Sequence, residues 1–194
     1  MHPTLYFIRH GETDWNRVQR YQGQTDIPLN ALGREQAARN GRVLRELVGA
    51  DAARLHFVSS PLDRAAETMR IVRRELGLAD EPFARDDRLK EQHFGHWEGL
   101  LYSELPSLDP EGFAARQADM WGWAPRGGEN YEMLRDRVSE WLAELPGDTI
   151  VASHGNVGRT VRGIILGLDT IEVPRLDAWQ DRFLVIRDGR AEWV

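Results

Sequence analysis

Two apolar runs in this chain break off at the same dipeptide. Leu5-Tyr6-Phe7-Ile8 leads into Arg9-His10-Gly11, and Thr149-Ile150-Val151-Ala152 leads into Ser153-His154-Gly155. Each run reads as a short buried strand, and apolar residues then recur at helical spacing: Ala37, Gly41, Leu44 and Val48 after the first, Val157, Val161, Ile164 and Leu168 after the second. A chain that twice passes from a fully apolar strand into an amphipathic helix is restricted to few packings. The strands must be covered on both faces, so they pair largely in parallel, with the helices as the cover.

The remaining segments continue the rhythm. Leu55-His56-Phe57-Val58 reads as a strand and Ser60-Pro61-Leu62-Asp63 as a helix start, with Ser60 as N-cap and Pro61 in the first turn. Leu62, Ala65, Met69, Val72 and Leu76 make that helix's apolar stripe. A further helix carries Tyr131, Leu134, Val138, Trp141, Leu142 and Leu145 and stops at Pro146-Gly147-Asp148. Phe183 to Ile186, the Asp188-Gly189 turn and Ala191 to Trp193 read as a closing hairpin. The expectation is an α/β three-layer sandwich, a mostly parallel central sheet flanked by helices; periodicity says nothing of strand order. At 194 residues, 41% of them hydrophobic, a single domain over 1–194 is expected, with no repeat, low-complexity tract or linker. Residues 92–128, irregular and rich in Gly, Trp and Pro, read as an insertion that covers a site.

Composition removes several classes of partner. A net charge of -6 argues against non-specific binding to nucleic acid or to an anionic membrane. No window is long and apolar enough to span a bilayer, and the amino terminus lacks a signal-peptide pattern. The absence of cysteine excludes disulfides and thiolate chemistry and fits a cytoplasmic location. Lys90 is the only lysine, so positive charge is carried almost wholly by arginine, which grips phosphate and carboxylate in bidentate fashion.

In open parallel sheets, ligands bind beyond the carboxyl ends of the strands, where free backbone NH groups at helix starts favour anions. Arg9-His10-Gly11 and Ser153-His154-Gly155 both lie there, and Ser59 and Arg64 flank the equivalent exit of another strand. A lone histidine at a strand end is an ordinary polar residue; the repeated placement is what points to one anion-binding pocket.

Six segments in order, RHGETDWN at 9–16, YQGQTDIPLNALGREQA at 21–37, SSPLDRAAET at 59–68, EQHFGHWEG at 91–99, GGEN at 127–130 and ASHGNVGR at 152–159, resemble the histidine phosphatase superfamily, also called phosphoglycerate mutase-like. The resemblance implies that His10 is the nucleophile that becomes phosphorylated, that Arg9, Arg64 and His154 hold the transferring phosphoryl group, and that Glu91 donates the proton. It also implies that Asn16, Gln22, Gly23 and Gly155 lie at the substrate together with Arg9, Arg64 and His154. Such residues suit the chemistry, because a phosphoryl group in transit spreads negative charge that fixed cations and NH donors must meet. By its local pattern alone, Asn16 equally reads as a cap of the next segment, and Glu91 as one member of a solvated charge run.

The expected reaction is hydrolysis of a small phosphate ester, with no cofactor. The mutases of the family carry a longer interval between the acidic residue and the second His-Gly, with added basic residues for a carboxylate. Between His93 and Pro125 only Arg116 is basic apart from histidine. Mutase-type transfer is the alternative, and a non-catalytic phosphate-binding scaffold a more distant one. Asn130 departs from the serine that often follows the Gly-Glu pair. Glu91, His93 and His96 lie close in sequence but lack regular metal-ligand spacing, so no metal site is expected. Trp97, Trp121 and Trp123 suit an apolar pocket, an interface or plain packing. The expected partners are the ester and, as an assembly, a homodimer.

Overall fold

The computed structural model describes residues 3–78 and 82–194. The sheet is built from β1 (Leu5–Arg9), β2 (His56–Ser59), β3 (Ala84–Arg85), β4 (Thr149–Ser153), β5 (Leu184–Arg187) and β6 (Arg190–Trp193). The helices are α1 (Asp14–Arg17), α2 (Ala31–Val48), α3 (Asp63–Glu75), α4 (Leu105–Leu108), α5 (Pro110–Ala118), α6 (Tyr131–Ala143) and α7 (Gly155–Leu166). Strand order is β3-β2-β4-β1-β5-β6, parallel from β3 to β1 and antiparallel through β5 and β6. The three-layer α/β sandwich anticipated from the periodicity is therefore present, with an antiparallel hairpin closing one edge.

The pleat assigns the layers. Leu5 and Phe7 of β1 and Val151 of β4 join Leu134, Val138, Val157 and Val161 beneath α6 and α7. Ile8, Ile150 and Ala152 point the other way, onto Leu44, Met69 and Val72 of α2 and α3. Both faces are buried, which explains the unbroken apolar runs. At about 1.5–3 kcal/mol for each fully buried aliphatic side chain, this double layer is what holds the central strands.

Several boundaries differ from the sequence reading. The second strand runs one residue later, at His56–Ser59, and is followed by the two-residue strand β3, too short for any periodic signal. Ser60 does not cap α3. Its helical residues begin at Asp63 after Leu62, and the Asp63 NH instead donates to the carboxylate of Asp26, at 3.0 and 2.9 Å, brought there by a remote loop. Leu145 and Leu168 lie just beyond α6 and α7 and still pack on the core. In the hairpin, Asp188 and Gly189 both take positive φ (52° and 69°), the requirement of a tight two-residue turn. The 92–128 segment is ordered into α4, α5 and short 3-10 turns around its own small core of Phe94, Trp97 and Leu105.

Candidate active site

Strand order brings the two His-Gly ends together. β1 and β4 are parallel neighbours with Arg9 opposite Ser153, so His10 and His154 leave the sheet side by side, ring centroids 5.1 Å apart. His10 is 3% exposed. Its Nδ1 lies 2.7 Å from the carbonyl of Gly11; a carbonyl only accepts, so Nδ1 carries the proton and Nε2 keeps its lone pair. The Nε–H of Arg64 donates to that Nε2 at 3.3 Å. Burial first, then the charges of Arg64 and Arg9, hold the His10 pKa well below its ordinary 6.5. The ring is thus neutral near neutral pH. Gly11 permits the geometry, because any Cβ there would meet the carbonyl oxygen of Gly33 at 2.1 Å.

Arg64, in the first turn of α3, is fully buried. Its Nη1 donates to the Thr25 carbonyl (2.9 Å) and its Nη2 to that of Gly23 (2.6 Å). Glu98 organises this loop: one carboxylate oxygen accepts from the Gln24 NH (2.9 Å) and the Phe94 NH (3.1 Å), the other from the Thr25 NH (3.0 Å) and hydroxyl (2.6 Å). Gly23 has φ of +52° beneath that carboxylate, where a Cβ would lie 1.9 Å from a Glu98 oxygen. Arg9 is anchored through Nη1 to the Ala178 carbonyl, while its Nε is buried without a hydrogen-bond partner. Burial lowers the Arg9 pKa to about 10, opposed by Glu91, so it stays charged near neutrality.

His154 is the N-cap of α7 and is wholly buried, its Nε2 2.8 Å from the Ser60 hydroxyl and its Nδ1 without a partner. Burial, with Arg64, His10, Arg137 and Arg9 adding to it, keeps this ring neutral as well. His154 stands behind His10 and adds no surface to the cavity in front of it; the next residues, Gly155 and Asn156, do.

Glu91 faces the same cavity and takes the Asn156 NH at the start of α7 (3.4 Å) and its neighbour's NH from Gln92 (2.9 Å). Arg137 of α6 fixes the segment. Its guanidinium donates to the carbonyls of Arg88 (2.6 Å), Lys90 (2.7 Å) and Glu91 (3.1 Å) while paired with Glu129 (2.9 Å). Asn16 is not a cap of the next segment: it is the third residue of α1, its side-chain oxygen accepting from the Thr13 NH (3.2 Å) in the capping box whose N-cap is Thr13, and it lines the cavity, accepting from Gln180 at 3.0 Å. Gln22 accepts from the Thr13 hydroxyl (3.0 Å) and also lines the cavity.

The inner cavity, about 160 Å³, is walled by Arg9, His10, Arg64, Asn16, Gln22 and Glu91 among others. It shares Arg9, Arg20, Tyr21, Phe94, Asn156 and Arg159 with a wider outer cavity of about 490 Å³, to which Arg116 and Tyr102 contribute. Glu91, His93 and His96 take separate partners: His93 accepts from the Gly95 NH, and His96 faces Asp109. Trp97 is buried and bonded to Asp109, Trp123 packs on it, and Trp121 stacks on Tyr131; none of the three lines either cavity. Asn130 caps α6, accepting from the Met133 NH (2.8 Å). Sequence reasoning passed over Ser60's contact with His154, and Glu98, Arg137, Arg20, Tyr21 and Arg159 altogether. Glu98, Tyr21 and Arg159 stood inside the quoted motifs, but nothing local marked their roles.

Comparison with known proteins bears on the family and the fold. A family model described as the histidine phosphatase superfamily (branch 1) matches residues 5–190. The chain is similar to phosphoglycerate mutase-like protein 4 of Arabidopsis thaliana, 35% identical over 164 residues covering 81% of this chain and 68% of that one. It is 32% identical to a glucosyl-3-phosphoglycerate phosphatase of Mycolicibacterium vanbaalenii, over 98% of this chain and 82% of that one. The crystal structure of the alpha-ribazole phosphatase from Shigella flexneri superposes with a TM-score of 0.82 at 28% identity, covering 98% of this chain and 94% of the other.

Proposed function

Because the chain belongs to the histidine phosphatase superfamily (branch 1), we propose that it hydrolyses small phosphate monoesters through a phosphohistidine on His10. The observation that carries the reading is the orientation of His10: Nδ1–H is spent on the Gly11 carbonyl, so Nε2 is the nucleophile, and it is held against Arg64. In the first displacement Nε2 bonds to phosphorus, the ester P–O bond breaks, and the leaving oxygen takes a proton from Glu91. In the second, Glu91 takes a proton from water as its oxygen bonds to phosphorus and the N–P bond breaks. Arg9 and Arg64 meet the charge on the equatorial oxygens, with Asn16 and the Gly155 NH as further donors and His154 behind His10. The relatives named as phosphatases support hydrolysis.

Rapid quench with a labelled ester should trap an acid-labile, base-stable phosphoprotein that His10→Ala abolishes; full turnover by that variant overturns the assignment. Glu91→Gln should slow an alkyl ester far more than p-nitrophenyl phosphate, whose leaving group scarcely needs a proton. Mutase-type transfer is the second reading, favoured by the relative named mutase-like and by the arginines of the outer cavity. With 3-phosphoglycerate and 2,3-bisphosphoglycerate, free phosphate should outrun 2-phosphoglycerate; the reverse order would establish the mutase.

A further inference from the structure

Between α7 and β5 the irregular segment 176–182 reaches back to the catalytic end of β1. The Ala178 carbonyl accepts from Arg9, and two residues on, Gln180 turns its side chain onto the residues around His10. Its Nε2 donates to the His10 carbonyl (3.1 Å) and to Oδ1 of Asn16 (3.0 Å). The Gln180 backbone is fixed in turn, its carbonyl accepting from Nδ2 of Asn40 (3.1 Å), a fully buried side chain of α2.

The direction of this hydrogen-bond chain is dictated at both ends. The His10 carbonyl only accepts, so the Gln180 group that faces it is the NH2. The Thr13 NH only donates, so the Asn16 atom that faces it at 3.2 Å is the carbonyl oxygen. Asn16 Oδ1 therefore takes donors from two sides, Thr13 and Gln180, and the Asn16 NH2 is the group left over. Among the described residues that NH2 has no hydrogen-bond partner, and Asn16 lines the inner cavity beside Arg9, His10 and Arg64. The two orientations of an asparagine amide have nearly the same shape, so its partners choose between them. A turned amide would set NH2 against the NH2 of Gln180 and the Thr13 NH, and would present an oxygen to an anion.

We propose that Gln180 is a positioning residue for phosphoryl transfer that acts through Asn16, locking its amide with the NH2 toward a phosphoryl oxygen. A donor aimed before the reaction costs no reorganisation when the transition state forms. The proposal rests on the phosphohistidine reading for the identity of the anion, and on the hydrogen-bond chain alone for the role of Gln180. Donation to a phosphoryl oxygen serves every leaving group, which separates this role from that of Glu91.

Gln180→Met keeps the length of the side chain and removes its donor. It should lower kcat/KM by about 3- to 10-fold, the range of one neutral hydrogen bond, and by the same factor for butyl phosphate and p-nitrophenyl phosphate. Asn16→Ala should cost about 10- to 100-fold, the range of a hydrogen bond to a charged group. In the Asn16→Ala background, Gln180→Met should cost no more than about twofold further. Gln180→Glu, which sets an acceptor against the Asn16 oxygen and draws the NH2 away from the cavity, should cost more than Gln180→Met. Calorimetric titration with inorganic phosphate reads the same cycle without turnover. If Gln180→Met weakens phosphate binding only where Asn16 is present, while the wild-type protein hydrolyses neither ester, the hydrolase reading fails and the role of Gln180 stands. A full further loss from Gln180→Met in the Asn16→Ala background overturns the proposal, since Gln180 then acts on Arg9 or His10 instead. Wild-type activity and phosphate binding in Gln180→Met or Gln180→Glu overturn it as well.

Discussion

The arginines of the inner cavity and Arg116 at the rim of the outer one are held in opposite ways. Around His10 each arginine is fixed by backbone: Arg64 spans the Gly23 and Thr25 carbonyls, and Arg9 is tied to that of Ala178. In the outer cavity Arg20 and Arg159 are likewise tied to the carbonyls of Gly99 and Leu176, whereas the side chain of Arg116, on a short helix of the 92–128 segment, has no hydrogen bond or ion pair among the described residues. Fixed charges cost no reorganisation when the transition state forms, so the inner site is built for rate. The untethered Arg116 side chain can move without altering the geometry around His10. The same contrast separates the supports: Glu98 and Arg137 satisfy several loop backbone groups each, whereas among the described residues nothing comparable braces Arg116.

The largest effect that would sharpen this contrast is expected at Arg64. Arg64→Lys keeps the charge but cannot hold two carbonyls and face Nε2 at once, and kcat for p-nitrophenyl phosphate should fall about 10²- to 10³-fold. A loss of less than threefold would show that the inner site needs only charge. A smaller effect is expected one layer out. Glu98→Gln turns an NH2 group toward NH and OH donors that need an acceptor. It should lower kcat about tenfold and stability by about 1–3 kcal/mol, measured by denaturant titration. Unchanged kcat with reduced stability would mean that the 23–25 loop does not position Arg64.

The smallest effect is a pH dependence. His10 and His154 have folded pKa values well below 6.5, so below about pH 6.5 the unfolded chain takes up protons that the folded chain does not. Stability contributed by the neutral rings is complete above pH 6.5 and falls as pH drops through it, by up to about 1.4 kcal/mol per pH unit for each ring. Denaturant midpoints at pH 7.5, 6.5 and 5.5 should be flat across the first interval and decline across the second. A flat second interval would mean that these rings are protonated in the folded protein.

The strand-helix alternation, both His-Gly ends and the hairpin turn were legible because each is a short-range signal: apolar period, a turn dipeptide, a break in an apolar run. The cap of α3 was misread for the opposite reason. Ser60 has the right residue type, but its hydroxyl meets the Leu62 NH, one residue short of the helix, and His154, while Asp26 from a distant loop takes the Asp63 NH. Glu98 and Arg137 look like surface charges in sequence, and only the loops folded over them make them braces.

The sequence by itself determined the layers, since unbroken apolar strands and one-sided helices can be buried in few ways. It also singled out candidates for phosphoryl chemistry, with Arg9, His10 and His154 standing at the ends of apolar strands, while Glu91 was marked only by resemblance to the family. Tertiary structure alone decided that β4 lies against β1, which puts His154 behind His10, and that residues 20, 116 and 159 share one cavity. Strand pairing and the meeting of remote side chains depend on how whole faces pack, and no local period along the chain encodes that choice.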